Sequence, residues 1–368
     1  MPLEFELSIS AAEPSAGGGN VSARYPKGMR MGAFSLAGVQ QIVAALRDEL
    51  SRVQPRRDFL EQAGAELFDT LFAGQVLAAW RECRTLAESQ QTGVRLRLFT
   101  DQPEVMAVPW EYLRDSQNGS WLALDPKLSL VRGLPLAARD PQPVQGILRM
   151  LVMISSPTDL QPLNTEEEWA NLDEATGGAA VELLRVQPTY AALQSALRQH
   201  QPHIFHYIGH GASDDQGYLG FCDADGVAEW VGGDRLSPLL AATPSLGLIF
   251  LNACQGSAPA TATAFSGLAQ QLLQQQIPAV LAMQTAIADR DALAFSREFY
   301  RALADGLAWR RRSTRAVSPS TRKPTVGAFP PSTSRAVNLL SCSRCRRKRK
   351  RPASGRRRRP RRANGCAA

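Results

Sequence analysis

Apolar and polar residues alternate from the start of the chain. "LEFELSIS" (3–10) and "NVSARYP" (20–26) flank a Gly-Gly-Gly run and predict a small β-hairpin. From Ser35 to Glu88 the period lengthens to that of a helix, in "SLAGVQQIVAALRDEL" and then "ELFDTLFAGQVLAAWRECRTLAE". "RLRLFT" (95–100) alternates again and predicts a strand. Pro109 in the following "VMAVPWEYLRD" stops any helix before it. These patterns predict an N-terminal hairpin segment over 1–34 and a mixed helical and β part over 35–145.

After Gly146 the rhythm changes. "ILRMLVMIS" (147–155), "AAVELLRV" (179–186), "HIFHYIG" (203–209), "SLGLIFLNA" (245–253) and "AVLAMQ" (279–284) read as strands. Between them, "NTEEEWANLDEAT", "TYAALQSALRQH" and "AFSGLAQQLLQQQ" read as amphipathic helices, the first capped by Asn164 or Thr165. A last helix is expected in "ADRDALAFSREFYRALADG", ending at Gly306. Near-continuous apolar strands separated by helices predict an α/β unit over 146–308, with a mostly parallel sheet covered on both faces. In such sheets, sites form beyond the carboxyl ends of the strands.

All four histidines of the chain (His200, His203, His206, His210) fall within eleven positions. A metal site on one helical face is a poor reading, because "IFHYIG" is β-branched and aromatic and Gly209 and Gly211 oppose a helix. On a strand, His203 and His206 face opposite ways. His200, His203 and His206 therefore read as ordinary packed or surface histidines, and no metal or other cofactor is expected. His210 differs, since the flanking glycines leave room for a substrate backbone and for the Gly211 N–H to point into a site. A second strand ends in "LNACQGS" with Cys254. A free cysteine is more often a small core residue than a nucleophile. Placed at one strand end beside a histidine at another, it fits a nucleophile and base.

Several motifs in order carry a resemblance. "YIGHG" is followed 44 residues after His210 by the cysteine of "FLNACQG"; before them stands "GVRLRLFTDQPEVMAVPWEYLRD", and after them "GLAQQLLQQQIPAVLAMQTAIADRDALAFSREFYRALADG". Together these resemble the CHAT domain, a caspase- and separase-like cysteine peptidase module. The resemblance implies a caspase-like α/β fold, His210 and Cys254 as the catalytic dyad, and hydrolysis of a peptide bond in a protein substrate. It implies oxyanion donors in the backbone N–H groups of Gly211 and Cys254, and regulation by a protein partner. Asp289 falls where separase-like relatives hold a basic substrate side chain, but it serves as well as the N-cap of the last helix, which is the weightier reading. Gln284 at a strand end would line the same cleft, and Asp214 and Asp215 are explained by a solvated loop.

Charge changes the picture at the C-terminal end. The formal net charge is +8, yet residues 306–368 carry 20 Lys and Arg and no acid. That leaves 22 basic against 34 acidic residues in the body, a net of −12. The segment 309–368 reads as a disordered basic tail, because nothing in it can form a core. A genuine tail of this kind would bind nucleic acid or an acidic partner. "CSRC" (342–345) has only Cys366 downstream and no histidine, too few ligands for a closed zinc site. The preferred reading is a shifted reading frame. Codons for "AWRRRSTRAVSPSTRKP", read from the third base, permit an acidic amphipathic helix such as "LAAALDEGRLAVDPEA". A tail without that helix keeps open a second function, a catalytically silent interaction module on the same fold. No apolar run approaches the ~18 residues of a membrane span, the N-terminus lacks a signal-peptide pattern, and Cys83, Cys222 and Cys254 show no disulfide spacing. The expected setting is cytoplasmic.

Overall fold

The computed structural model describes residues 2–11, 18–52, 55–135, 144, 146–177, 181–213, 217–255, 263–282, 294–301 and 303. The tail 309–368, with "CSRC", lies outside the described residues. Two sheets organise the rest.

The first sheet begins with β1 (Leu3–Ala11), β2 (Gly19–Tyr25) and β3 (Gly28–Phe34), followed by α1 (Leu36–Ser51), α2 (Arg57–Leu71) and α3 (Gly74–Ser89). The long helical stretch read around residues 66–88 is broken, because the chain turns between Leu71 and Gly74, whose φ of +51° suits glycine. Then come β4 (Val94–Phe99), the short α4 (Pro103–Met106) and β5 (Leu128–Gly133). The strand order is β3-β2-β1-β4-β5, so the N-terminal hairpin is joined to β4 by a parallel ladder, Leu3 beside Val94 through Ser8 beside Phe99. Alternation decides the faces: Phe5, Leu7, Ile9, Val94, Leu96 and Leu98 are buried in one core with Phe68, Phe72 and Trp80 of the helices. The opposite face carries Glu4, Glu6, Arg95 and Arg97, which pair across β1 and β4. The Pro-Trp-Glu segment belongs to this core. Trp110 is buried and its Nε1–H donates to the Val105 carbonyl at 2.9 Å, and Glu111 is ion-paired with Arg132.

The second sheet starts at β6 (Leu148–Ile154). It continues through α5 (Thr165–Thr176), β7 (Val181–Val186), α6 (Tyr190–His200) and β8 (Ile204–Ser213). A hairpin of β9 (Gly217–Cys222) and β10 (Ala228–Gly232) follows, then α7 (Gly233–Ala241), β11 (Leu248–Gln255), α8 (Thr263–Gln274) and β12 (Val280–Ala282). Asn164 is the N-cap of α5, accepting from the Glu167 N–H, and three glutamates in the first turn suit the positive end of the helix. Strands β7, β6, β8, β11 and β12 run parallel, while β9 and β10 are antiparallel. One face packs Phe205, Tyr207, Ile249 and Leu251 against α6, α7 and α8. The other packs Ile204, Ile208 and Phe250 against α5 and the helical residues 294–301, through Phe295, Phe299 and Tyr300. This is a mixed α/β architecture in which the seven-stranded sheet is mostly parallel. Among the described residues, no helix is long and apolar enough to cross a membrane.

Candidate active site

Strand β8 does not end before Gly-His-Gly. It runs on to Ser213, so the expected strand mouth lies inside a longer strand. The cause is a change of neighbour. On one side β11 accompanies β8 as far as Gly211, from Leu248 beside Ile204 to Gln255 beside Gly211. On the other side β6 pairs only as far as Ile154 beside Ile208, and β9 takes over from Leu219 beside Gly211. His210 sits at this fork.

A fork leaves ladder carbonyls without a partner, and buried carbonyls need one. Two hydroxyls supply it. The Tyr207 hydroxyl lies 2.9 Å from the His210 carbonyl and 2.8 Å from the Gly220 carbonyl, and Ser155 Oγ donates to the Gly220 carbonyl at 2.6 Å. Gly209 makes this arrangement possible, since a Cβ there would stand 2.4 Å from the Tyr207 hydroxyl oxygen. Burial pushes the Tyr207 phenol well above its usual range, so it stays a neutral donor.

The ladder places Cys254 directly beside His210 on adjacent parallel strands. Alternation along β8 and β11 puts both positions on the face that carries Ile208 and Phe250. The His210 ring is buried, and its Nε2 is 2.7 Å from the Gln161 carbonyl in the loop after β6. A carbonyl only accepts, so Nε2 carries a proton, and the neutral tautomer that fits this bond has its lone pair on Nδ1.

His203 and His206 behave as packed residues, and His200 is exposed in the last turn of α6. His203 Nδ1 accepts from the Arg149 N–H at 2.9 Å, and burial, with the Arg149 charge, lowers its pKa to about 4. His206 is fully buried, and burial lowers its pKa to about 3. Gly211 stands in register between Leu219 and Gln255. Asp289, Gln284, Asp214 and Asp215 lie outside the described residues. Tyr207, Ser155 and Gln161 carry no signal of their own in the sequence. The nearest hint is Gly209, which reads as room for a substrate backbone until the tyrosine two residues earlier is seen to need that space. Cys83 and Cys222 are buried free thiols; Cys222 Sγ lies 3.8 Å from Ser155 Oγ at the fork, and burial raises the Cys83 thiol to about 11.

Fold and site define an α/β protein with a histidine and a cysteine side by side on the central parallel strands. The family follows from comparison. The CHAT domain family model matches residues 61–322, more than half of the chain, and the chain belongs to that family. CHAT domains are related to the caspase-like cysteine peptidases. The match begins inside α2, so β1, β2, β3 and α1 precede it. No curated protein matches the chain.

Proposed function

We propose that this protein is a cysteine endopeptidase of the caspase-like type, with Cys254 as nucleophile and His210 as its acid and base. One observation carries the reading: His210 and Cys254 are register partners on one face, and His210 is oriented through Nε2. The Gln161 carbonyl holds the ring so that Nδ1 takes the thiol proton. The Cys254 thiolate attacks the scissile carbonyl carbon, forming the S–C bond, and the charge moves to the carbonyl oxygen. Backbone N–H groups of Gly211 and Cys254 would receive that oxyanion. As the C–N bond breaks, Nδ1–H protonates the leaving amine. Water, deprotonated by the same Nδ1, then cleaves the thioester and regenerates the thiol. Asp289 and Gln284 are retained as candidates for recognition of the acyl-side residue, and a protein partner as the source of regulation.

The test is turnover of protein substrates by purified variants. Cys254→Ala should abolish cleavage, and His210→Ala should lower it by about 10²–10⁴-fold. Cys83→Ala and Cys222→Ala should keep it, and His206→Ala should lose far less than His210→Ala. Full activity in Cys254→Ala would overturn the assignment.

A further inference from the structure

The registers line up four residues in one row across the second sheet. Cys254 is beside His210, the β8–β9 ladder brings Gly220 next to His210, and Trp230 on β10 is beside Gly220. All four positions share one face; Leu219, Phe221 and Val231 of the same hairpin point to the other and are fully buried. Trp230 is 40% exposed. A Cβ on Gly220 would lie 3.3 Å from Trp230 Cζ3 and 3.5 Å from His210 Cβ. The indole therefore leans over the bare glycine towards His210, and a half-exposed aromatic surface flanks the catalytic base on the side away from Cys254.

This inference rests on the peptidase reading and concerns the substrate of that site. His210 protonates the departing amine, so the amine leaves on the His210 side of Cys254. The peptide attached to it is led over Gly220 towards Trp230. Strands stand ~4.8 Å apart, which puts the Trp230 backbone about 10 Å beyond His210, and the ring reaches back over the intervening strand. An extended peptide advances ~3.3 Å per residue, so the ring meets the first or second residue past the cut. Glu229, beside Trp230 in the chain, is ion-paired with Arg235 at 2.9 Å, and Asp159 accepts from the Ala228 N–H at 2.9 Å. The surface that Trp230 itself offers is an aromatic face, suited to an apolar side chain. We propose that Trp230 is a specificity residue for the leaving side of the substrate, packing against a bulky apolar side chain one or two residues beyond the scissile bond.

The experiment is digestion of a proteome-derived peptide library with the full chain, with cleavage sites sequenced by mass spectrometry and Cys254→Ala as the blank. The wild type should enrich Phe, Tyr, Leu or Trp at one of the two positions after the cut. Trp230→Ala should reduce that enrichment by about tenfold and leave the preference before the cut unchanged, a split that a folding defect would not produce. Trp230→Phe should restore it. Gly220→Ala, whose methyl presses on the indole, should weaken it. An unchanged preference after the cut in Trp230→Ala overturns the subsite and leaves the peptidase reading standing. No cleavage above the blank by the wild type overturns the peptidase reading, and the subsite with it.

Discussion

Replacing His206 by phenylalanine should stabilise this protein, and by more in acid than at neutral pH. The His206 ring stacks on Phe250 with centroids 4.4 Å apart and planes 3° from parallel, and Tyr300 lies 5.3 Å away. Neither ring nitrogen has a hydrogen-bond partner among the described residues. A buried polar group left unpaired costs ~1–3 kcal/mol, and phenylalanine removes both nitrogens while keeping a flat ring. Its one extra ring atom returns part of the gain as overpacking, which costs ~1–3 kcal/mol in tight cores. Two relieved nitrogens against one overpacking cost leave a net gain of about 1–2 kcal/mol at pH 7.5. Acid adds to this. Burial lowers the His206 pKa to about 3, whereas the unfolded imidazole titrates near ~6.5. The folded value is the depressed one, so below ~6.5 the unfolded chain takes up a proton that the folded chain refuses. The contribution is complete above that pH and is lost progressively as pH falls towards 3. At pH 5 the loss is about 2 kcal/mol, from ~1.36 kcal/mol per pH unit. The advantage of His206→Phe should therefore reach about 3–4 kcal/mol at pH 5. Urea unfolding midpoints of both proteins at the two pH values measure it. Destabilisation at both, with the wild-type pH dependence retained, would mean that the imidazole has a partner and would refute the reasoning.

Other expectations concern the fork and the thiols. Tyr207→Phe should cost about 1–3 kcal/mol, because the His210 and Gly220 carbonyls lose a buried donor, and turnover should fall with it; unfolding and kinetic assays at one temperature would show whether the two change together. Gly209→Ala should destabilise by about 1–3 kcal/mol, since its methyl would meet the Tyr207 hydroxyl oxygen at 2.4 Å; an unchanged melting temperature would mean that this tyrosine is placed otherwise. Iodoacetamide at pH 7.5 should label Cys254 well before Cys83, whose thiol burial raises to about 11, and peptide mapping of the modified protein would report the order. His203→Gln should also reduce acid sensitivity, because the pKa of His203 is lowered to about 4; the slope of stability between pH 7 and 5 is the readout.

Much of the second sheet was legible in the chain because each of its parallel strands is a dense apolar run between amphipathic helices. "ILRMLVMIS", "AAVELLRV" and "SLGLIFLNA" became β6, β7 and β11 with ends shifted by at most three residues. The hairpin of β9 and β10 was not legible. "GYLGFC" is short and rich in glycine, and β-propensity carries little signal when a strand is stabilised mainly by its neighbours. For the same reason "HIFHYIG" looked complete at Gly209. Its continuation to Ser213 depends on β9, which the local pattern does not reveal.

Alone, the sequence determined the types of most elements, placed His206 in a strand body, and set His210 and Cys254 apart by their small neighbours, because these are properties of a few adjacent residues. Partners were decided only in three dimensions. Strand β1 pairs with β4 about ninety positions away, and His210 stands beside Cys254 through a register spanning 44 residues. Tyr207 reaches the fork carbonyls, and Gln161 orients the histidine ring. Periodicity fixes which side of a strand a residue faces, but not which strand lies alongside; that depends on the packing of whole faces and on satisfying each buried backbone group.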